Sequence, residues 1–106
     1  VESVAEGSRV SAVVAADSPG AEAGMVRPGW LIEIAAQACA ATAAEAHAGF
    51  LVGVTQWQWR ATVPVGRALE VTIQRGAVLG DFAEFHCSIR HAGALVAAGT
   101  LQVARR

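Results

Sequence analysis

This chain of 106 residues contains no lysine; its eight basic residues are all arginine, and nine acidic residues leave a formal net charge of −1. The arginines are scattered rather than clustered, so the chain lacks the basic patch that a nucleic-acid partner would need. The exclusive use of arginine reads as coding bias. Cysteine is sparse, with two residues. Cys39 and Cys87 are far apart, sit in apolar surroundings and form no CxxC pair, which points to buried, reduced thiols. No His/Cys cluster has metal-ligand spacing, and no glycine-rich phosphate loop follows a strand, so neither a metal nor a dissociable cofactor is expected. No secretory leader is legible. The longest apolar run, Ile34 to Phe50, is broken by Gln37, Glu45 and His47 and consists mostly of alanine. Alanine is too weakly hydrophobic for that run to span a membrane. The expected location is therefore the cytoplasm. Histidine is absent from the whole N-terminal part, the first being His47.

What is present is apolar. Hydrophobic residues make up 54% of the chain, above the usual share, so part of that surface is expected to close only in an oligomer. The length suits one domain, residues 1–106, with one core. Arg9 to Ala16 is β-branched and reads as a strand, ended by the turn residues Asp17-Ser18-Pro19-Gly20. A loop rich in Ala and Gly runs on to Arg27. Pro28 suits a helix start, where its missing N–H costs nothing. The helix is expected from about Trp30 to about Ala48, capped by Gly49, a span of roughly 28 Å. It is apolar on nearly every side, as befits a helix in the middle of a structure.

After Gly49 the pattern changes to a period of two. Strands are expected at Phe50 to Thr62, Leu69 to Leu79, Phe82 to Arg90 and Ala94 to Ala104, joined by short turns. Short turns imply antiparallel neighbours. One buried helix and one antiparallel sheet can hide their apolar surfaces only if the sheet curls around the helix. The reading is therefore an α+β hotdog fold, a long central helix wrapped by a curved antiparallel sheet.

The helix carries Glu33 and, four residues on, Gln37, which fall on one face. A carboxylate and a carboxamide in so apolar a helix would be costly to bury without a partner or a task. Glu33 also has a plainer reading, as a partly exposed acid in the N-terminal turn of the helix, stabilised by the dipole. Around the pair, Pro28-Gly29, Leu31, Glu33, Ala36 and Gln37 resemble the P-G-x-L-x-x-E-x-x-A-Q pattern of hotdog dehydratases acting on 3-hydroxyacyl thioesters of acyl carrier protein. One residue fewer separates the Gly from the Glu here. Downstream, Phe50-Leu51-Val52-Gly53, Trp59, Arg60 and Pro64-Val65-Gly66 also resemble that family. The likeness runs from about Arg9 to Val103, with the flavour of a compact branch from polyketide-type pathways.

The resemblance implies a set of roles. Glu33 would be the acid/base, and Gln37 would position it or the substrate hydroxyl. The N–H groups of Gly29, Trp30 and Leu31 would hold the thioester carbonyl, and Gly53 and Arg60 would contact the substrate arm. The substrate would ride on the phosphopantetheine of an acyl carrier protein, in fatty acid or polyketide-type synthesis. The family works as a dimer, so a homodimer or a heterodimer with a homologous hotdog chain is expected. Dehydration must remove an α-proton and protonate a departing β-hydroxyl, and a His–carboxylate pair normally shares that work. The family's His would fall near Pro19-Gly20, where this chain has none. Three readings follow: a subunit that supports a catalytic homologue, another residue standing in, or a thioesterase in which Glu33 activates water. Among the other polar residues, His47 is expected at the helix C-terminus, His86 as a satisfied sheet histidine and His91 solvated in a turn. Trp57 and Trp59 are expected to pack against the helix or a partner chain. Asp17 and Glu22 read as solvated loop acids, and Arg67, like Arg60, reads equally as a contact for the phosphate of the phosphopantetheine arm or an acidic carrier protein and as an ordinary edge-strand charge.

Overall fold

The computed structural model describes residues 2–4, 7–42 and 50–104. Among the described residues, eight strands and one helix follow in chain order: β1 (Glu2–Val4), β2 (Gly7–Val13), β3 (Ala21–Glu22), β4 (Met25–Val26), α1 (Pro28–Thr42), β5 (Phe50–Trp59), β6 (Ala68–Leu79), β7 (Phe82–His91) and β8 (Ala94–Ala104). Six strands form one sheet in the order β1-β2-β6-β7-β8-β5, antiparallel throughout. Strands β2 and β5, one on each side of the helix in sequence, therefore lie on opposite sides of the β6–β7–β8 meander. The helix crosses one face of the sheet, packing on β2, β6 and β7. This is the expected hotdog arrangement.

Alternation along the strands decides which face the helix covers. Val71 and Ile73 of β6 stand opposite Ile89 and Cys87 of β7, and Phe85 stands opposite Leu101 of β8. All six are buried, and with Leu31, Ile34, Ala35, Ala38 and Cys39 of the helix they make the core. The intervening residues Thr72, Glu84, His86, Ser88 and Gln102 point to the other face, which is polar. Alanines at 35 and 38 bring the helix backbone close to the sheet, and Cys39 Sγ rests 3.8 Å from Cys87 Sγ. The two thiols are free. The neighbouring Cys39 thiol, and then burial, push the Cys87 thiol far above its ordinary range.

Element boundaries shift in ways that have local causes. The first strand ends at Val13 rather than Ala16, because its pairing with β6 runs out at Val13↔Ala68. The chain then turns, with Ser18 N donating to Ala15 O at 3.1 Å. The loop expected up to Arg27 contains a small hairpin, β3–β4, whose turn residues Ala23 and Gly24 both have positive φ (53° and 78°). The helix starts at Pro28, two residues earlier than expected. The expected end near Ala48 with its Gly49 cap lies outside the described residues, as does His47. Strand β5 stops at Trp59 rather than Thr62. It bulges between Thr55 and Gln58, where Gln56 takes a φ of 55°. No helix among the described residues is long and apolar enough to cross a membrane.

Candidate functional site

The helix is one-sided rather than enclosed. Leu31, Ile34, Ala35 and Ala38 face the sheet, whereas Glu33 and Gln37 lie on the opposite, exposed face. Within one chain the curved sheet covers one face of the helix and leaves the Glu33–Gln37 face open. Gln37 Nε2 donates to Glu33 Oε1 at 3.2 Å, the i, i+4 contact that the spacing implied. Glu33 sits in the second turn of α1, past a first turn that contains no acid, and is exposed, as its plainer reading expects.

The start of the helix is fixed by its neighbours. Trp30 N donates to Arg27 O at 2.9 Å, and Arg27 N donates to Gly20 O at 2.8 Å. The Trp30 N–H is thus already used, whereas the N–H of Gly29 belongs to the first turn, where an N–H has no partner within the helix. Of the three groups expected to hold a carbonyl, Gly29 is the one the local geometry favours. Gly20 is buried directly under the Trp30 indole, close enough that any side chain there would collide with the ring. Leu31 is core, 1% exposed, so it could contribute only its backbone.

The remaining expected site residues lie elsewhere in the fold. Gly53 pairs with Gln102, and the Gln102 side chain covers it on the polar face of the sheet. Arg60 follows β5, donates from its backbone to Val96 O at 2.7 Å and from Nη2 to Gln58 Oε1 at 3.0 Å. Since Gln58 pairs with Ala98 on the polar face, Arg60 is turned away from Glu33 of the same chain. Within one chain the helix residues gather together, and the β5 residues do not join them. Trp57 packs on the core beside Gly99 of β8, while Trp59 is 47% exposed at the strand end.

His86 lies on the polar face, its Nδ1 3.0 Å from Thr100 Oγ1, and so is a satisfied sheet histidine remote from the helix. His91 is not solvated in a turn; it closes β7 opposite Ala94 and is half-buried. Asp17 is exposed, and Glu22 Oε2 lies 3.6 Å from Arg27 Nη2, an exposed pair of little energetic weight. Among the described residues there is no cluster of His, Cys, Asp or Glu that could hold a metal ion.

Two cavities flank β2. One, of about 540 Å³, is rimmed by Arg9, Ser11, Glu70 and Arg90. The other, of about 490 Å³, lies between β2 and α1 and is lined by Val10, Ala12, Val14, Ser18, Trp30, Ile34, Gln37 and Ala38 among others. This second cavity shares Gln37 with the Glu33–Gln37 pair and Trp30 with the helix start. No pattern in the sequence announces this cavity.

Comparison with known proteins agrees with this architecture. The dehydratase heterocomplex ApeI:P from Xenorhabdus doucetiae superposes with a TM-score of 0.75 at 21% identity, over 97% of this chain and 77% of that one. A hypothetical thioesterase protein with coenzyme A from Streptococcus pneumoniae gives 0.78 at 13% identity, over 95% and 79%. A mutant of the fluoroacetyl-CoA-specific thioesterase FlK gives 0.73 at 20% identity, over 98% and 89%. At these identities the likeness is one of fold. No curated protein sequence matches the chain. A family model does, from residue 1 to residue 106, and it is that of the ApeP-like proteins, described as ApeP dehydratase; the chain belongs to this family.

Proposed function

We propose that this dehydratase-like hotdog chain acts on, or beside, 3-hydroxyacyl thioesters carried by an acyl carrier protein, and that its site is completed by a second hotdog chain. The observation that carries the reading is the Glu33–Gln37 pair, a hydrogen-bonded carboxylate and carboxamide on an exposed helix face whose flanking positions, Ile32 and Ala36, are apolar and half-buried. A second chain seated on that face would exclude water from Glu33 and strengthen its electrostatic reach. The unpaired edge of β5 offers such a chain a strand to extend. It would also bring the partner's β5 residues, including its Gly53 and Arg60 equivalents, toward the helix, which their own chain does not do. The dehydratase heterocomplex among the structural neighbours is an assembly of this kind of chain, and supports a partner of homologous fold.

In the proposed site the Gly29 N–H, at the positive end of the helix dipole, polarises the thioester carbonyl and acidifies the α-carbon. Glu33 handles a proton, with Gln37 holding the carboxylate in place. The second proton-transfer group is not a histidine of the helix region in this chain, so the partner chain supplies it. Thioesterase chemistry, with Glu33 activating water, is the second reading, favoured by the fold shared with two thioesterases.

The test is incubation of the purified chain, alone and with a homologous hotdog chain, with 3-hydroxyacyl and enoyl carrier-protein thioesters. Loss or addition of water is the expected result, reduced at least about 100-fold by Glu33→Gln. Release of free acid would establish the thioesterase instead. Turnover unaffected by Glu33→Gln would remove the basis of both readings.

A further inference from the structure

The chain has only two cysteines, 48 positions apart, and the fold brings them together. Cys39 lies toward the end of α1, on the face that meets the sheet. Cys87 lies in the middle of β7, between Ile73 of β6 and Gly99 of β8. Their sulfurs are 3.8 Å apart, both side chains are buried and both thiols are free. The reaction proposed for Glu33 uses neither of them.

A disulfide holds its sulfurs about 2.0 Å apart. The pair must therefore close by roughly 1.8 Å, a movement that side-chain rotation supplies. Little opposes that movement at Cys87. Its other contact is Phe85 O at 3.7 Å, and a thiol is a weak donor. The meeting of the two sulfurs is a property of the folded chain. In the unfolded chain the same encounter requires closure of a 48-residue loop, whereas the helix and the sheet hold the thiols in contact.

We propose that Cys39 and Cys87 are a redox-responsive pair, converted by hydrogen peroxide to a disulfide that ties α1 to β7. One sulfur, as the thiolate, attacks the peroxide. The O–O bond breaks, hydroxide leaves and takes up the thiol's proton as water, and a sulfenic acid remains. The second sulfur then attacks the first, the S–O bond breaks, the S–S bond forms and a second water departs. The two thiols lose two electrons and the peroxide gains them. Burial protects both states. A thiol is reached only when the end of the helix opens locally from the sheet. Once formed, the disulfide is shielded from reductants by the same packing. The pair is thus a latch on the helix that carries Glu33 and Gln37, and it does not depend on the thioester reading of that helix.

The experiment treats the reduced, folded chain with hydrogen peroxide, then denatures, alkylates and digests it for mass spectrometry. A cross-linked peptide pair containing Cys39 and Cys87, lighter by two hydrogen atoms than its parts, is the expected product. Neither cysteine in that product should take up the alkylating agent until dithiothreitol is added. Cys39→Ser and Cys87→Ser should each form no cross-link within the chain. The oxidised wild type should melt higher than the reduced form by roughly 10 °C or more, since the bond closes a 48-residue loop in the unfolded chain. Cysteines that both stay alkylatable in the folded chain, under a treatment that closes the bond in a urea-unfolded sample, would overturn the proposal. Bonds formed only between chains, or an oxidised form that melts no higher than the reduced one, would overturn it as well.

Discussion

Gly20 offers the sharpest test of how the start of the helix is built. A Cβ at this position would fall inside the space of the Trp30 indole, meeting Cδ1, Cγ and Nε1 at once. Its φ is not in the left-handed region, so the objection to a side chain here is space and not backbone strain. Gly20→Ala therefore adds one methyl to a filled contact, and overpacking of this kind costs about 1–3 kcal/mol. For a domain of this size each kcal/mol lowers the melting temperature by roughly 4–8 °C, so a fall of at least about 4 °C is expected in a thermal melt followed by circular dichroism. Trp30 must swing away or the turn must lift, and either change alters the environment of a half-buried indole, so the tryptophan emission spectrum should shift as well. The double variant Gly20→Ala with Trp30→Leu should recover part of the loss, since the two changes share one contact and cannot be additive. A melting temperature within about 1 °C of wild type, with an unchanged emission spectrum, would refute the packing described for this turn.

Other outcomes follow from the core. A Cβ on Gly99 would lie 2.8 Å from the Trp57 Cα and 2.6 Å from its Cε3, and a backbone atom cannot swing aside, so Gly99→Ala should lower the urea midpoint by the equivalent of about 1–3 kcal/mol. The Cys87 thiol, raised from its ordinary value of 9.0 by Cys39 and by burial, stays protonated in the folded chain while it ionises in the unfolded one. The unfolded state then binds fewer protons, so stability is fully present below about pH 8.5 and falls above it, at up to about 1.4 kcal/mol per pH unit for each such thiol. Urea titrations from pH 7 to pH 10 should show the decline, and Cys87→Ala should flatten it.

Much of the fold is legible in the residues themselves. The switch from an apolar, alanine-rich run to alternation after Gly49 marks the passage from helix to sheet, and Gly80-Asp81 and Ala92-Gly93 place the hairpins that make β6, β7 and β8 a meander. The alternation in Phe82–His91 also separates core Phe85 and Cys87 from outward Glu84 and His86 correctly. Less legible is anything that depends on where a partner strand runs out. Val14 to Ala16 has the composition of a strand but no remaining partner on β6, and the β3–β4 hairpin has too few residues to produce a period. The bulge at Gln56 is likewise invisible, since Gln carries no signal for positive φ. The Glu33–Gln37 pair was legible from its spacing, whereas its exposure was not. An apolar helix looks enclosed in sequence, because beside Glu33 and Gln37 the open face carries apolar Ile32 and Ala36, residues of the same kind as those buried against the sheet.

The central claim is that a second hotdog chain covers the helix face bearing Glu33. Carboxyl footprinting measures this directly: the chain is treated with a water-soluble carbodiimide and an amine, and the modification rate of each acid is read by mass spectrometry across a dilution series. Glu22, Glu70 and Asp81, all exposed, serve as internal references. At concentrations where the chains associate, Glu33 should be protected relative to these three and should become reactive on dilution. A Glu33 that reacts as fast as the reference acids in the associated state would contradict the account.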